Sequence, residues 1–414
     1  MRPKRKNITG AAKSMKVFLL GAGASKSYSE SPTGVRMPIA RDFFETFDTL
    51  NISTNSWVLQ EGLIGYLGQQ GIDAFTHLRS GIDIEDLHST IARDLYTAKA
   101  SDNPLAWIWP WKAYNELVFL FASVLNEIQN GPVSSPHLRL ARAISATDTI
   151  VTFNWDTLMD RALEAQTSWT IERGYGITPR QIFDHGWRDP IPADTDVAVG
   201  PRLLKLHGST NWLTAHPTME RGQFELTHSL DPATVHVFRH AAGPYACYAG
   251  RYMPGYVPFS YGYYPPNLDA PGREAPPGHI LVRARTKGLR PEGTASDDGL
   301  VSMPLIIPPV REKTYDLYGG LFGELWSVAE DGLAQTDEII VIGYSFPRTD
   351  VRSRALFTNA FMRRRTMPKV TIIDPAPERI AELFGIEFGI QSSHLRVIKD
   401  YFTDQFDIGA ALQP

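Results

Sequence analysis

Short unbroken apolar runs alternate along this chain with longer stretches in which apolar residues recur every three or four positions. KVFLL (16–20), DTIVTF (148–153), RLLKLHG (202–208), EIIVIGYSF (338–346) and KVTIIDP (369–375) are of the first kind and predict buried strands. IARDFFETFDTL (39–50), SGIDIEDLHSTIARDLYTAK (80–99) and WKAYNELVFLFASVLNEIQN (111–130) are of the second kind and predict helices. So are HLRLARAIS (137–145), TLMDRALEA (157–165) and DVRSRALFTNAFMRRR (350–365). Strands alternating with helices predict an α/β fold with a Rossmann-like, doubly wound parallel sheet. The pattern places a basic tail at 1–15, the main domain at 16–376 and a C-terminal extension at 377–414. A helical insert over about 31–146 separates the first two strands, and a second insert covers about 213–300. The middle of that second insert, 241–281, is rich in Tyr, Pro and Gly without any period. Tyrosine suits contacts where an apolar body meets a polar tip, so this stretch is expected to form a lid or a subunit contact. No internal repeat is visible.

Composition narrows the function classes. The chain has 414 residues, 43% hydrophobic and 21% charged, which is enough for a sizeable core. A formal net charge of −4 supplies no general attraction to nucleic acid or anionic lipid, so neither direct nucleic-acid binding nor a membrane partner is expected. The single Cys247 excludes an internal disulfide and any multi-cysteine zinc site, and a reducing cytoplasmic setting is expected. No run approaches 18 apolar residues. His236 and His240 stand four apart with Cys247 further on, but histidine pairs at that spacing are common by chance and no carboxylate clusters with them, so no metal is expected. Arg363, Arg364 and Arg365 sit where cations complement the end of a helix.

The candidate chemistry lies at the strand ends, because ligands of parallel α/β sheets bind outside the carboxyl ends of the strands. FLLGAGASKS (18–27) runs an apolar strand into a glycine turn of the kind that prepares phosphate sites. A Walker A loop does not fit: Lys26-Ser27 follows Ser25, and Leu20 stands where the first glycine belongs. The dinucleotide fingerprint fits Gly21 and Gly23 but meets Lys26 at its third glycine. A secretory leader needs a longer apolar run than the roughly six residues before Gly21. The second strand ends at Asn154 and Asp156, the third at His207, the fourth at Gly343 and Ser345, and the fifth at Asp374. Each has a bland alternative: Asn154 or Asp156 as a cap for the next helix, His207 as a satisfied core residue, the glycines as a tight turn. Convergence of five such ends on one rim favours a nucleotide site.

GAGAS (21–25), FNWDT (153–157), LHGS (206–209), GYSF (343–346) and IIDP (372–375) resemble, in order and spacing, the NAD-binding motifs of the sirtuin (SIR2) superfamily, in particular its bacterial SIR2-like branch. SGIDIEDLHS in the helical insert is similar to that branch as well. The resemblance spans residues 16 to about 376. It implies that Gly21, Ala22, Gly23 and Ser25 hold a pyrophosphate, that Gly343 and Ser345 meet phosphate or ribose, and that Asp374 lies near the adenosine ribose. It implies Asn154 and Asp156 at the nicotinamide ribose and His207 as general base. With one cysteine, the four-cysteine zinc ribbon of protein-deacylating sirtuins has no counterpart, so the resemblance implies hydrolysis of NAD to nicotinamide and ADP-ribose. A deacylase or ADP-ribosyltransferase, or a non-catalytic sensor of NAD or ADP-ribose, are the alternatives. Stand-alone relatives of this kind serve in anti-phage defence by depleting NAD. The resemblance therefore implies a homo-oligomer, ring-shaped, activated by a partner such as a HerA-like hexameric ATPase.

Overall fold

After its first residue the strand Lys16–Leu20 is apolar because it lies at the centre of a parallel sheet, with Val17 to Leu20 buried. This computed structural model describes residues 15–413 except 51–61, 101–105, 107, 130, 184–186, 193–194, 196–199, 216–217, 220–225, 228–234, 240–284, 287–299, 309, 311–319 and 348–349. Lys16–Leu20 pairs on one side with Thr149–Thr152, which pairs in turn with Arg202–Lys205. On the other side it pairs with Glu338–Ile342, followed by Lys369–Ile373 and Leu395–Ile398. All five pairings are parallel. Numbered along the chain, these six strands lie in the order 3-2-1-4-5-6, the order of dinucleotide-binding α/β folds. With this order, right-handed crossovers on either side of strand 1 are expected to cover both faces of the sheet. The helices Ser135–Ala143 and Leu158–Gln166 pack together, as do Gly320–Gln335 and Val351–Met362.

The expected parallel α/β sheet is present. Its sixth strand, Leu395–Ile398, falls in the segment 377–414 that the sequence pattern reads as an extension. The reading of RLLKLHG as one strand also needs correction. The strand stops at Lys205, Leu206 and His207 turn, and a second strand, Gly208–Ala215, starts immediately afterwards. Gly208 makes this turn possible: its φ is +77°, and a Cβ there would stand 2.1 Å from the carbonyl oxygen of Leu305. Gly208–Ala215 belongs to a second, mixed sheet with Leu300–Ile306, His236–Phe238 and Gln181–Phe183.

The helical insert contains Phe43–Thr49, Gly62–Gln69, Ala74–Arg79, Ile84–Lys99 and Ile108–Gln129. Asp83 starts the fourth of these by accepting a hydrogen bond from the amide of Glu85, so part of SGIDIEDLHS is a helix cap. The insert has its own core, in which Phe43, Phe121 and Ile128 pack with Leu213, Phe238 and Ile306 of the second sheet. Beyond Val351–Met362 the arginine cluster serves helix ends: Arg364 donates to the carbonyls of Leu333 and Thr336, at the end of Gly320–Gln335. His240, Cys247 and the stretch 241–281 lie outside the described residues.

Candidate functional site

Strand order reverses between Lys16–Leu20 and Glu338–Ile342, and the turns leaving these two strands touch. Three glycines allow the contact. A Cβ on Gly21 would lie 2.4 Å from Cα of Tyr344, and one on Gly23 would lie 2.9 Å from Cα of Gly343. Gly343 has φ +60°, and its Cβ would lie 2.4 Å from the amide nitrogen of Ala24. The Gly23 amide donates to the Gly343 carbonyl at 2.9 Å, and the Gly21 amide donates to that of Ile342 at 3.1 Å. These two amides stitch the turns together, while Ala22 and Gly23 remain exposed at the rim. Lys26, where a third glycine would stand in a dinucleotide fingerprint, pairs with Asp42 at 2.5 Å.

Thr149–Thr152 is β-branched and buried, and its last hydroxyl ends it. Thr152 Oγ1 donates to the Leu20 carbonyl and accepts the amide of Asn154, which turns the chain out of the sheet. Asn154 Nδ2 then donates to the Gly21 carbonyl and to Ser25 Oγ, each at 2.8 Å. A carbonyl oxygen only accepts, so the amide orientation is fixed and Oδ1 is the acceptor that half-buried Asn154 can offer a ligand. Ser25 Oγ donates to Asp156 Oδ2 at 2.5 Å. Asp156 Oδ1 accepts the Leu158 amide at 3.0 Å, so this carboxylate also starts the helix Leu158–Gln166. The structure thus joins Gly21, Ser25, Asn154 and Asp156 in one hydrogen-bonded group.

His207 is buried between three aromatic rings contributed by two segments. Phe153 and Trp155, the neighbours of Asn154 in sequence, place their ring centroids 5.0 and 5.8 Å from the imidazole, and Trp326 lies at 6.4 Å. The His207 carbonyl accepts the amide of Ile307 at 2.8 Å, which fixes the residue's backbone. Its Nε2 is 3.7 Å from Oδ2 of Asp350, also buried. Asp350 in turn accepts from the Tyr344 hydroxyl at 3.0 Å and caps Val351–Met362 through the amide of Ser353. A carboxylate beside Nε2 favours a proton there, makes Nδ1 the basic nitrogen and stabilises the imidazolium once formed. Sequence reasoning missed Asp350 as a partner of His207. The signal was present as an N-cap, Asp350 three residues before Ser353, but nothing local links it to a strand 143 positions earlier.

The remaining expected residues stand on the other side of the reversal. Exposed Ser345 has its carbonyl covered by the Arg379 guanidinium, which also reaches the Phe346 carbonyl. Ser345, Arg354, Arg379, Glu382 and Ile386 line a cavity of about 490 Å³. Asp374 lies at the end of the neighbouring strand, with its Oδ1 accepting the Ala376 amide. The structure does not draw Asp374 into the Asn154 group. His236, one of the three metal candidates, is buried in the second sheet, where burial lowers its pKa to about 3. Among the described residues no group of three or more His, Cys, Asp or Glu is placed to hold a metal ion, and no helix is long and apolar enough to cross a membrane.

Sheet order and glycine turns define an α/β protein with the architecture of dinucleotide-binding folds. No protein-family model and no curated protein matches the chain. Among solved structures it is similar to SIR2, crystallised with the inhibitor EX-527, 2'-O-acetyl-ADP-ribose and a deacetylated p53 peptide. That likeness covers 94% of this chain and 89% of the other at 11% identity, with a TM-score of 0.31. A likeness at this level carries no argument about chemistry, which rests on the residues themselves.

Proposed function

We propose that this protein hydrolyses NAD at the nicotinamide–ribose bond, giving nicotinamide and ADP-ribose. The observation that carries the reading is a fixed Asn154 amide whose sequence neighbours, Phe153 and Trp155, pack their rings against the imidazole of a His207–Asp350 pair. The glycine turns leave no side chain between a pyrophosphate and the backbone, and Gly343 and Ser345 are assigned to phosphate or ribose and Asp374 to the adenosine ribose. In the reaction the C1′–N bond breaks and its electron pair leaves with nicotinamide, which departs neutral. Asn154 Oδ1 holds a water or ribose hydroxyl against C1′. The water oxygen bonds to C1′, and His207 is assigned the proton that is lost. Asp156 adds negative charge beside the cationic ribose of the transition state.

The decisive experiment is incubation with NAD alone. Release of nicotinamide and ADP-ribose in equal amounts, without an acylated peptide, supports the hydrolase. Nicotinamide release only in the presence of an acylated peptide overturns it in favour of a deacylase. On the resemblance of its sequence motifs to bacterial SIR2-like proteins, we propose NAD depletion in anti-phage defence, by a ring-shaped homo-oligomer whose sites become competent when a HerA-like ATPase docks.

A further inference from the structure

Beneath the Asn154–Asp156 turn lies a pair of charges that the proposed reaction does not use. Lys205 and Asp160 are each 1% exposed, and their charged groups are 3.1 Å apart. Lys205 ends the third strand of the main sheet, and Asp160 sits in the first turn of Leu158–Gln166. The chain of contacts continues: Tyr175 donates its hydroxyl to Asp160, and Asn211 Nδ2 donates to that hydroxyl at 3.1 Å and to the Phe238 carbonyl at 3.2 Å. A buried ion pair is weak evidence for stability, since well-packed apolar residues of the same volume often replace one at no loss. The Lys205 ammonium, however, makes one contact that an apolar replacement would remove. It donates to the backbone carbonyl of Asp156. Gln129 of the helical insert grips the next residue from its own side, its Oε1 accepting the amide of Thr157 at 2.8 Å. The turn that carries Asn154 and Asp156 is thus held by two buried side chains from separate elements.

We infer that Lys205 is a positioning residue for the NAD-cleaving site: its ammonium, neutralised by Asp160, clamps the Asp156 carbonyl and so sets the placement of Asn154 and Asp156. The inference rests on the reading of the site as NAD-cleaving. It also links the second sheet to the catalytic turn, through Asn211, Tyr175 and Asp160. A shift of the second sheet would therefore reach the site through the same ammonium.

The test compares wild type with Lys205→Met and with Lys205→Met/Asp160→Asn, the double variant removing both charges together so that no buried carboxylate is left unpaired. Two readouts are taken on folded protein: hydrogen exchange of the peptide covering 153–158, and nicotinamide release as separate kcat and KM. The expected result in the double variant is faster exchange confined to 153–158, with strands 16–20 and 338–342 unchanged. With it, kcat falls by about 10- to 100-fold while KM stays within about threefold. A folded double variant with wild-type exchange over 153–158 and wild-type kcat overturns the clamp. Should wild type itself release no nicotinamide from NAD, the substrate reading falls and exchange alone decides: faster exchange supports the clamp and unchanged exchange overturns it.

Discussion

Asp350 caps the helix Val351–Met362 and also stands beside His207, so two jobs fall to one carboxylate. Asparagine caps helices as well as aspartate does but carries no charge. Asp350→Asn is therefore expected to melt within a few degrees of wild type and yet turn over NAD at least about tenfold more slowly, because the imidazolium loses its counter-charge. A variant with full turnover would remove Asp350 from the mechanism. His207→Ala and Asn154→Ala are expected to lower nicotinamide release by about 100-fold or more with an unchanged circular dichroism spectrum. Near-normal release from folded His207→Ala would sink the general-base role. Much of this site is legible in sequence, since Gly21, Asn154, His207 and Gly343 each follow an apolar run directly and Asp156 comes two residues after Asn154. Asp350 and Lys205 are not, for opposite reasons. Asp350 reads as a helix start because that is one of its roles, and Lys205 reads as one polar position in a short strand. Neither pattern says what lies across the sheet.

At the level of elements, the contact of the two glycine turns is the most restrictive feature. Gly343→Ala puts a side chain at φ +60° and against the Ala24 amide nitrogen, so a loss of roughly 1–3 kcal/mol from backbone strain alone is expected, with further loss from the clash. Chemical denaturation would measure it, and a variant as stable as wild type would show that the turns separate without cost. Two helices carry a different signature. His88 in Ile84–Lys99 and His137 in Ser135–Ala143 are buried, and burial lowers their pKa values to about 3 and about 4. Unfolded histidine titrates near 6.5, so between that pH and the folded values the unfolded chain binds more protons. Stability is then fully present above pH 6.5 and falls as pH drops towards 4. Replacing His88 with Leu is expected to flatten this fall in acid melts, and an unchanged slope would show that other groups cause it. The main strands were readable because buried parallel strands are continuous apolar runs. Leu395–Ile398 escaped because an edge strand is half exposed, and its LRVI places arginine between apolar residues. The second sheet escaped because its strands pair non-locally and some are very short, as where His236–Phe238 meets Gln181–Phe183.

For the whole molecule, assembly is the expectation to test first. Light scattering should give a multiple of the chain mass, and NAD turnover should rise when a co-encoded ATPase is titrated in. A strictly monomeric protein, fully active alone and indifferent to that partner, would overturn the ring. One consequence of the sheet order concerns the protein's birth on the ribosome. The central strand Lys16–Leu20 emerges early, but its neighbour on one side comes from 149–152 and on the other from 338–342. At ordinary elongation rates the gap between residues 20 and 338 amounts to roughly 15 to 60 seconds. Through that interval Gly21 has no Gly343 to meet, and His207 has no Asp350. On the proposed activity, a nascent chain therefore has no complete NAD site before residues 338–350 are made, and a chain cut short upstream of 338 is expected to be inactive.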